Sequence, residues 1–362
     1  MNELAPILPA AWSGLLASLI SCLLLVWTQR WHGGLTLDST DGVQKFHTAP
    51  TPRIGGLGLL IGLIVTWYKL PSQNEISQLL GIMLIAGMPA FLFGTAEDLT
   101  KRVGVRERLL ATMASGVVGW WISDMSITRA NVWGLDMLLL WTPLSVAFTA
   151  FAVGGVANAI NIIDGFNGLA SGTLIICYGS IGLIGYQAGD NNVAQISLLL
   201  ASVTAGFLLI NFPFGKIFLG DGGAYLMGFL LAWLAVLLLA RNPNVSAWAP
   251  LLACGYPILE VLFSIWRRRQ RNLHPGHPDR LHLHSLIKSR IVRKKFKNLP
   301  PVLRNASVSP MIWLFALIPA TLSVTFFNDT GWLIGCLFLC AALYSILYSK
   351  LIRFGWKLPK FY

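Results

Sequence analysis

Asn158-Ala-Ile-Asn161-Ile-Ile-Asp164-Gly165-Phe166-Asn167-Gly168-Leu169-Ala170-Ser171-Gly172 lies between two long apolar runs, at about 138–157 and 169–187. Asn158, Asn161, Asp164 and Asn167 recur every third residue, which on a helix makes one drifting polar stripe. Gly165 and Gly168 let a backbone or a ligand come close. A carboxylate with amides at a membrane boundary is costly unless a cation, a polar ligand or a partner helix binds there. A helix–helix contact through small and polar residues is the plainer alternative. The choice depends on where the other charged residues fall.

Of the 362 residues, 55% are hydrophobic and only 12% charged, whereas a soluble domain carries about 25% charged residues. Apolar runs of roughly 17–25 residues, enough to span a bilayer, recur along almost the whole chain. They are continuous rather than alternating, which excludes an outer-membrane barrel. The expected fold is therefore all-α and polytopic, one integral membrane domain over 1–362. Spans are predicted at about 4–27, 54–69, 78–94, 108–122, 138–157, 169–187, 194–211, 223–240, 247–266, 310–327 and 331–348, eleven in all. The first has Glu3 and no basic residue ahead of it, unlike a signal peptide, and reads as a retained span. All five cysteines fall inside apolar runs, against a disulfide framework or a zinc cluster.

Basic residues check that count. Taking alternate loops as cytoplasmic, at about 28–53, 95–107, 158–168, 212–222 and 267–309 together with the C-terminus, and counting Arg108 at the edge of the second, one side holds 24 Lys and Arg. The other holds three, Lys69, Arg129 and Arg241. That partition follows the positive-inside rule and sets the N-terminus outside and the C-terminus inside. The net charge of +12 then belongs to one face, suited to anionic lipid headgroups and phosphorylated substrates. With no soluble domain to hold it, nucleic acid is excluded as a partner.

The same topology brings Glu97-Asp98, Asp164, Asp221 and all six histidines to the cytoplasmic side. Glu97 and Asp98 close a span against the helix dipole; ion pairs with Lys101 and Arg102 would offset that, or one carboxylate serves as base, nucleophile or metal ligand. Asp221, in Gly220-Asp221-Gly222-Gly223, could cap a helix. Glycine on both sides suits close approach of a phosphate and Mg²⁺, which takes one or two carboxylates plus substrate phosphates, with Asp164 as a second. The run from His274 to Ser285 is a basic loop with four histidines and no cysteine, a poor zinc site. Arg280, His282 and His284 suit stabilisation of diphosphate charge. Lys45, His47 and Arg53 are presented on a Pro- and Gly-rich turn. Glu260, inside the ninth span, is either functional or an interhelical hydrogen-bond partner.

Lys45-Phe-His47…Pro52-Arg53-Ile-Gly-Gly, Glu97-Asp98-x-x-Lys101, Asn161-Ile-Ile-Asp164-Gly-Phe-Asn167-Gly-Leu, Gly220-Asp221-Gly-Gly and Pro278-Asp-Arg280-Leu-His282-Leu-His284 follow one another in that order. The chain thereby resembles the polyprenyl-phosphate N-acetylhexosamine-1-phosphate transferases, of glycosyltransferase 4 type. These start O-antigen, enterobacterial common antigen and teichoic acid linkage units, and include phospho-MurNAc-pentapeptide translocase. The resemblance implies transfer of a sugar-1-phosphate from a UDP-N-acetylhexosamine to undecaprenyl phosphate, with release of UMP and a need for Mg²⁺ or Mn²⁺. It implies Asp221 as chief metal ligand with Asp164 near the metal. Asp98 would be the base toward the lipid phosphate, or the nucleophile of a two-step version. Asn158, Asn161, Gly165 and Asn167 would help hold the nucleotide, Asn167 near the uracil. His282, His284 and Arg280 would bind diphosphate and sugar, and Lys45 and Arg53 a phosphate. It further implies a bacterial inner membrane and a cytoplasmic active site; a homodimer would be equally compatible with the apolar surface.

Three departures from the family pattern stand out. Glu97 replaces the first Asp of a usual Asp-Asp pair, Asn167 replaces an Asp, and Ser285 a third histidine. They lean toward the O-antigen and GlcNAc-type branch, with GlcNAc or a 6-deoxy relative such as FucNAc or QuiNAc as the sugar. The rival, a transporter or flippase of lipid-linked sugars, should carry ionisable groups near the bilayer midplane; here Glu260 alone lies well inside a span. A purely structural scaffold leaves the glycine-flanked Asp221 unexplained.

Overall fold

A computed structural model of the chain describes residues 5–38, 50–270 and 281–353. Lys45, His47, His274, His277 and Arg280 lie outside the described residues. Each of the eleven apolar segments coincides with a helix: α1 (Leu8–Trp27), α2 (Gly55–Lys69), α3 (Glu75–Thr100), α4 (Val105–Ser123), α5 (Thr142–Ile163), α6 (Leu169–Gln187), α7 (Asn191–Asn211), α8 (Gly220–Arg241), α9 (Gly255–Gln270), α10 (Val308–Thr325) and α11 (Thr330–Ile352). Eight helical segments among the described residues are long and apolar enough to cross a membrane, and the chain is an all-α polytopic membrane protein. Three predicted spans fall short for separate reasons. The second, α2, has only 15 residues. The fourth, α4, carries Arg106, Glu107 and Arg108 in its first turns. The ninth breaks at Cys254 into Trp248–Ala253 and α9, which runs out into Arg267, Arg268 and Arg269.

Local chemistry sets several helix ends. The side chains of Asn74, Asp190 and Asp329 accept from the backbone N–H of Ile76, Val193 and Trp332 at 3.1, 3.2 and 3.1 Å, starting α3, α7 and α11. Gly168, at φ +79°, turns the chain between α5 and α6. Pro89 interrupts the backbone ladder of α3, and the next amide, Ala90 N–H, finds Ser115 Oγ on α4 at 3.0 Å.

The bundle is built around α8, which packs against α2, α3, α4, α5, α6 and α7. Its side chains are buried without interruption from Gly220 to Leu234. A helix apolar on every side can be stable only as a central pillar. Around its start the neighbours approach at backbone distance. A Cβ added to Gly56 would lie 2.7 Å from Gly223 Cα, and one added to Gly94 2.6 Å from Gly222 N. Gly222 and Gly223 thus admit other helices, a different use from the phosphate approach expected of them.

The two ends of the bundle differ. At one, Arg241 pairs with Glu75 at 2.6 Å and Asp190 at 2.8 Å, and Arg129 donates to the carbonyls of Val245 and Asn242, both at 2.7 Å, closing the C-terminal end of α8. The other end gathers Arg53, Asp98, Asp164 and Asp221. Among the described residues, the sole strand pairing is there too, Leu37–Asp38 antiparallel to Thr51–Pro52.

Gly56→Ala should lower the melting temperature of the detergent-purified protein, costing about 1–3 kcal/mol for overpacking. Gly155→Ala, whose new methyl meets nothing within 4 Å, should leave it unchanged or slightly higher. A thermal-shift scan that ranks the two variants equally would contradict the close-packed start of α8.

Candidate active site

The first turn of α8 needs acceptors for its amide hydrogens, and Leu219 at the N-cap position has no side chain to offer one. Asp98, in the last turn of α3, supplies both: Oδ1 accepts from Asp221 N–H and Oδ2 from Gly222 N–H, each at 2.9 Å. A carboxylate there also meets the positive end of the helix dipole, worth up to about 2 kcal/mol in partly buried geometry. Gly220 makes the approach feasible: its φ is +74°, and a Cβ would lie 2.6 Å from Asp98 Oδ2.

Asp98 so bonded leaves the Asp221 carboxylate facing the site. Arg53 joins the two carboxylates, Nε at 3.2 Å from Asp98 Oδ1 and Nη2 at 2.5 Å from Asp221 Oδ1. Arg108 donates to Asp221 Oδ2, Asn161 Nδ2 donates to Asp221 Oδ1 at 3.1 Å, and Tyr225 donates to Asn161 Oδ1 at 3.3 Å. Arg53 is held from its backbone: Phe218 N–H donates to Pro52 O at 2.8 Å, and Gly55 and Gly56 donate to Phe218 O and Leu219 O at 2.9 and 3.0 Å. Burial opposes the Arg53 charge, but Asp221 and Asp98, helped by Asp38 and Asp164, outweigh it and raise its pKa above the ordinary value.

Asp164 ends α5, half-buried, and its side chain accepts no hydrogen bond from the described residues. Burial pushes its carboxyl up to about 7; Arg53 pulls it back, while Asp221 and Asp98 repel its charge. The next residues touch the histidine loop. His284 stands edge-on to Phe166, ring centroids 5.4 Å apart, and stacks on His282 at 5.2 Å. Lys288 Nζ lies 5.2 Å from the Phe166 ring centre. Burial, then repulsion from Arg304 and Arg293, pushes its ammonium down to about 7.

Three Asp from three helices, two Arg and a histidine pair thus share one end of a membrane bundle, and the glycosyl transferase family 4 model matches residues 80–239, which hold all three Asp. A decaprenyl-phosphate N-acetylglucosaminephosphotransferase of Mycobacterium leprae is 30% identical over 279 residues, 67% of each chain. This chain belongs to glycosyl transferase family 4. Undecaprenyl-phosphate alpha-N-acetylglucosaminyl 1-phosphate transferases are similar over still more of it. The one from Yersinia pestis is 25% identical over 88% of this chain and 84% of its own. The one from Escherichia coli K12 is 24% identical over 95% and 91%.

Within this family member the expected site residues divide. Arg53, Asp98, Asn161, Asp164 and Asp221 come together, and His282, His284 and Gly165 border them, with His284 Nε2 3.6 Å from a Cβ placed on Gly165. Others are turned into the protein. Glu97 accepts from Val103 N–H at 2.9 Å and closes the turn after α3. Asn158 donates to Gly154 O at 2.8 Å and Thr112 Oγ1 at 3.2 Å, the helix–helix contact weighed as the plainer alternative. Asn167 donates to Pro213 O at 2.9 Å and its carbonyl accepts from Ser309 at 2.6 Å, clamping the loop that bears Asp164. Lys45 and Arg280 lie outside the described residues.

Arg108 and Tyr225 are additional members that the sequence reading missed. Arg108 carried a signal: a cation in the first turn of a helix opposes the dipole and wants an anionic partner. Tyr225 follows Asp221 by four residues and so shares its face.

Among the described residues no three His, Cys, Asp or Glu side chains converge as a metal cage. Asp164 and Asp221 offer carboxylate oxygens of the kind a hard divalent cation takes together with substrate phosphates, while Asn161 presents its Nδ2 to Asp221.

A carboxyl whose folded pKa lies above its unfolded value stabilises the fold below that unfolded value, and the contribution is lost as pH rises through the folded one. In EDTA, Asp164→Asn should therefore gain thermal stability relative to the unsubstituted protein between pH 5 and pH 8. Melting curves whose difference stays constant across that range would show that Asp164 is not held protonated.

Proposed function

We propose that this protein transfers N-acetylhexosamine-1-phosphate from a UDP-sugar, UDP-GlcNAc or a 6-deoxy relative, to undecaprenyl phosphate at the cytoplasmic face of a bacterial inner membrane. The products are undecaprenyl-diphospho-sugar and UMP, the first step of a cell-surface polysaccharide of O-antigen type. The observation that carries this reading is the Asp98–Arg53–Asp221–Arg108 network beside Asp164 and the histidine pair. It is supported by the names of the relatives, which are polyprenyl-phosphate N-acetylglucosamine-1-phosphate transferases. The excess of basic residues on the loops at that end supports eleven spans with the site inside the cell.

In this reading an oxygen of the lipid phosphate attacks the sugar-bearing phosphorus of the donor. The bond to the bridging oxygen breaks, and that oxygen leaves with UMP. Both reactants are anions, so the site must gather positive charge and hold it still. Arg53 and Arg108 are fixed by carboxylates and backbone, and Lys288, with Arg293 and Arg304 close enough to repel its charge, lies by Phe166. Asp221 and Asp164 would hold Mg²⁺, or Mn²⁺, which supplies charge neutralisation of the diphosphate when bound. Asp98 has both oxygens engaged by the start of α8, so its part is to keep Asp221 in place. The donor's uridine and sugar would lie along Asn161–Gly165 and the histidine loop.

Purified protein given labelled UDP-GlcNAc, undecaprenyl phosphate and Mg²⁺ should release UMP. Asp221→Asn should lower turnover by about 100-fold or more. Wild type inert toward every UDP-N-acetylhexosamine would sink the enzyme reading, and a fully active Asp221→Asn the metal assignment. Asp98→Asn should abolish turnover and also lower the melting temperature, because an amide NH₂ cannot accept from a helix start.

A further inference from the structure

Glu260 is fully buried, at 0% exposure, inside the apolar bundle. An ionised carboxylate in such a place persists only when hydrogen bonds satisfy it. Its carboxylate is hydrogen-bonded to the histidine loop: Oε1 accepts from His282 Nδ1 at 2.9 Å and Leu283 N–H at 3.1 Å, and Oε2 meets the same amide at 3.3 Å. Two turns on, Arg267 Nη1 donates to Leu281 O at 2.9 Å. One turn back, the Tyr256 hydroxyl lies 3.2 Å from His284 Nδ1. Tyr256, Glu260 and Arg267 follow at intervals of four and seven residues, which puts them on one face of α9. That face acts as a rail to which residues 281–284 are fastened, one tie after another.

The consequence lies in the imidazole. With Nδ1 committed to Glu260, the ring of His282 cannot rotate, and Nδ1 carries the hydrogen of the pair. Nε2 is then the nitrogen left to meet a substrate. The stacked His284 ring carries the same constraint to Phe166 and Gly165, beside Asp164. A basic loop alone would give cations with no fixed direction. We propose that Glu260 is the positioning residue of the site: it sets the ring orientation and the hydrogen-bearing nitrogen of His282, so that Nε2 is presented to the diphosphate of the donor. This deepens the transferase reading and rests on it for the identity of the ligand, but the Glu260–His282 pair can be read without any substrate.

Three variants test it: Glu260→Ala, Glu260→Gln and His282→Ala. Glu260→Ala should lower kcat by about 10- to 100-fold, the loss usual for partners that orient a functional histidine. KM for UDP-GlcNAc should stay within about threefold, because the binding groups remain. Glu260→Gln keeps one oxygen able to accept from both His282 Nδ1 and Leu283 N–H, and should restore kcat to within about threefold of wild type. In the His282→Ala background, Glu260→Ala should cost less than about twofold more. Ring-¹⁵N NMR of histidine-labelled protein, assigned by the signal lost in His282→Ala, should show an Nδ1-protonated His282 in wild type and in Glu260→Gln but not in Glu260→Ala. Full kcat in Glu260→Ala, losses that multiply in the double variant, or an unchanged His282 signal in Glu260→Ala would each overturn the proposal. Should Glu260→Ala fail to fold, the Glu260→Gln spectrum decides: a retained Nδ1–H signal supports the assignment and a lost one refutes it. A wild type that releases no UMP yet shows the Nδ1-protonated signal would refute the transferase reading and leave the pair standing.

Discussion

Everything at the active end hangs on Asp98 accepting the first two amide hydrogens of α8. The start of that helix is buried, so water cannot satisfy it, and its own N-cap residue is Leu219. A carboxylate from α3 meets both the unpaired donors and the dipole, and by doing so fixes the backbone of Asp221. The Asp221 side chain is then aimed by its own helix. Arg53 ties the two carboxylates together and is itself held to residues 218 and 219 through the backbone. Removing any one member leaves a buried charge or amide without a partner, the costliest condition in a protein interior.

Such a network needs α2, α3 and α8 closer together than ordinary side chains permit. Gly56, Gly94, Gly222 and Gly223 provide the room, and membrane helices generally associate through small residues because lipid offers no hydrophobic force between them. The glycines flanking Asp221 therefore serve packing first. Their chemical effect is indirect: they bring the guanidinium of Arg53 and the carboxylate of Asp98 within reach of the helix start.

The histidine loop shows the same division of labour. Its rings border Asp164 and Phe166, but its geometry comes from one face of α9. Glu260 is the one Asp, Glu, Lys or Arg well inside a predicted span, and instead of lining a midplane path it is bonded to His282. The feature that most suggested transport is thus consumed in holding the loop.

Sequence alone determined the class of protein, its apolar helical segments and, among the described residues, the gathering of Arg53, Asp98, Asp164, Asp221, His282 and His284 at one end. Long apolar runs and charge asymmetry are local properties that read directly off the chain. It also determined the core membership of Arg53, Asp98, Asn161, Asp164 and Asp221, since polar residues among apolar neighbours stand out. Only the tertiary structure decided what each of them touches. Asn158 and Asn161 are one turn apart on the same stripe, yet one bonds Thr112 on α4 and the other Asp221 on α8. Arg108 looked like one more residue of a basic loop until folding set it against Asp221. Asn167 became a clamp through Pro213 and Ser309, residues 46 and 142 positions away. Partner choice across such separations depends on how helices cross and how close glycines let them come, and that geometry is not written in the spacing of any single motif.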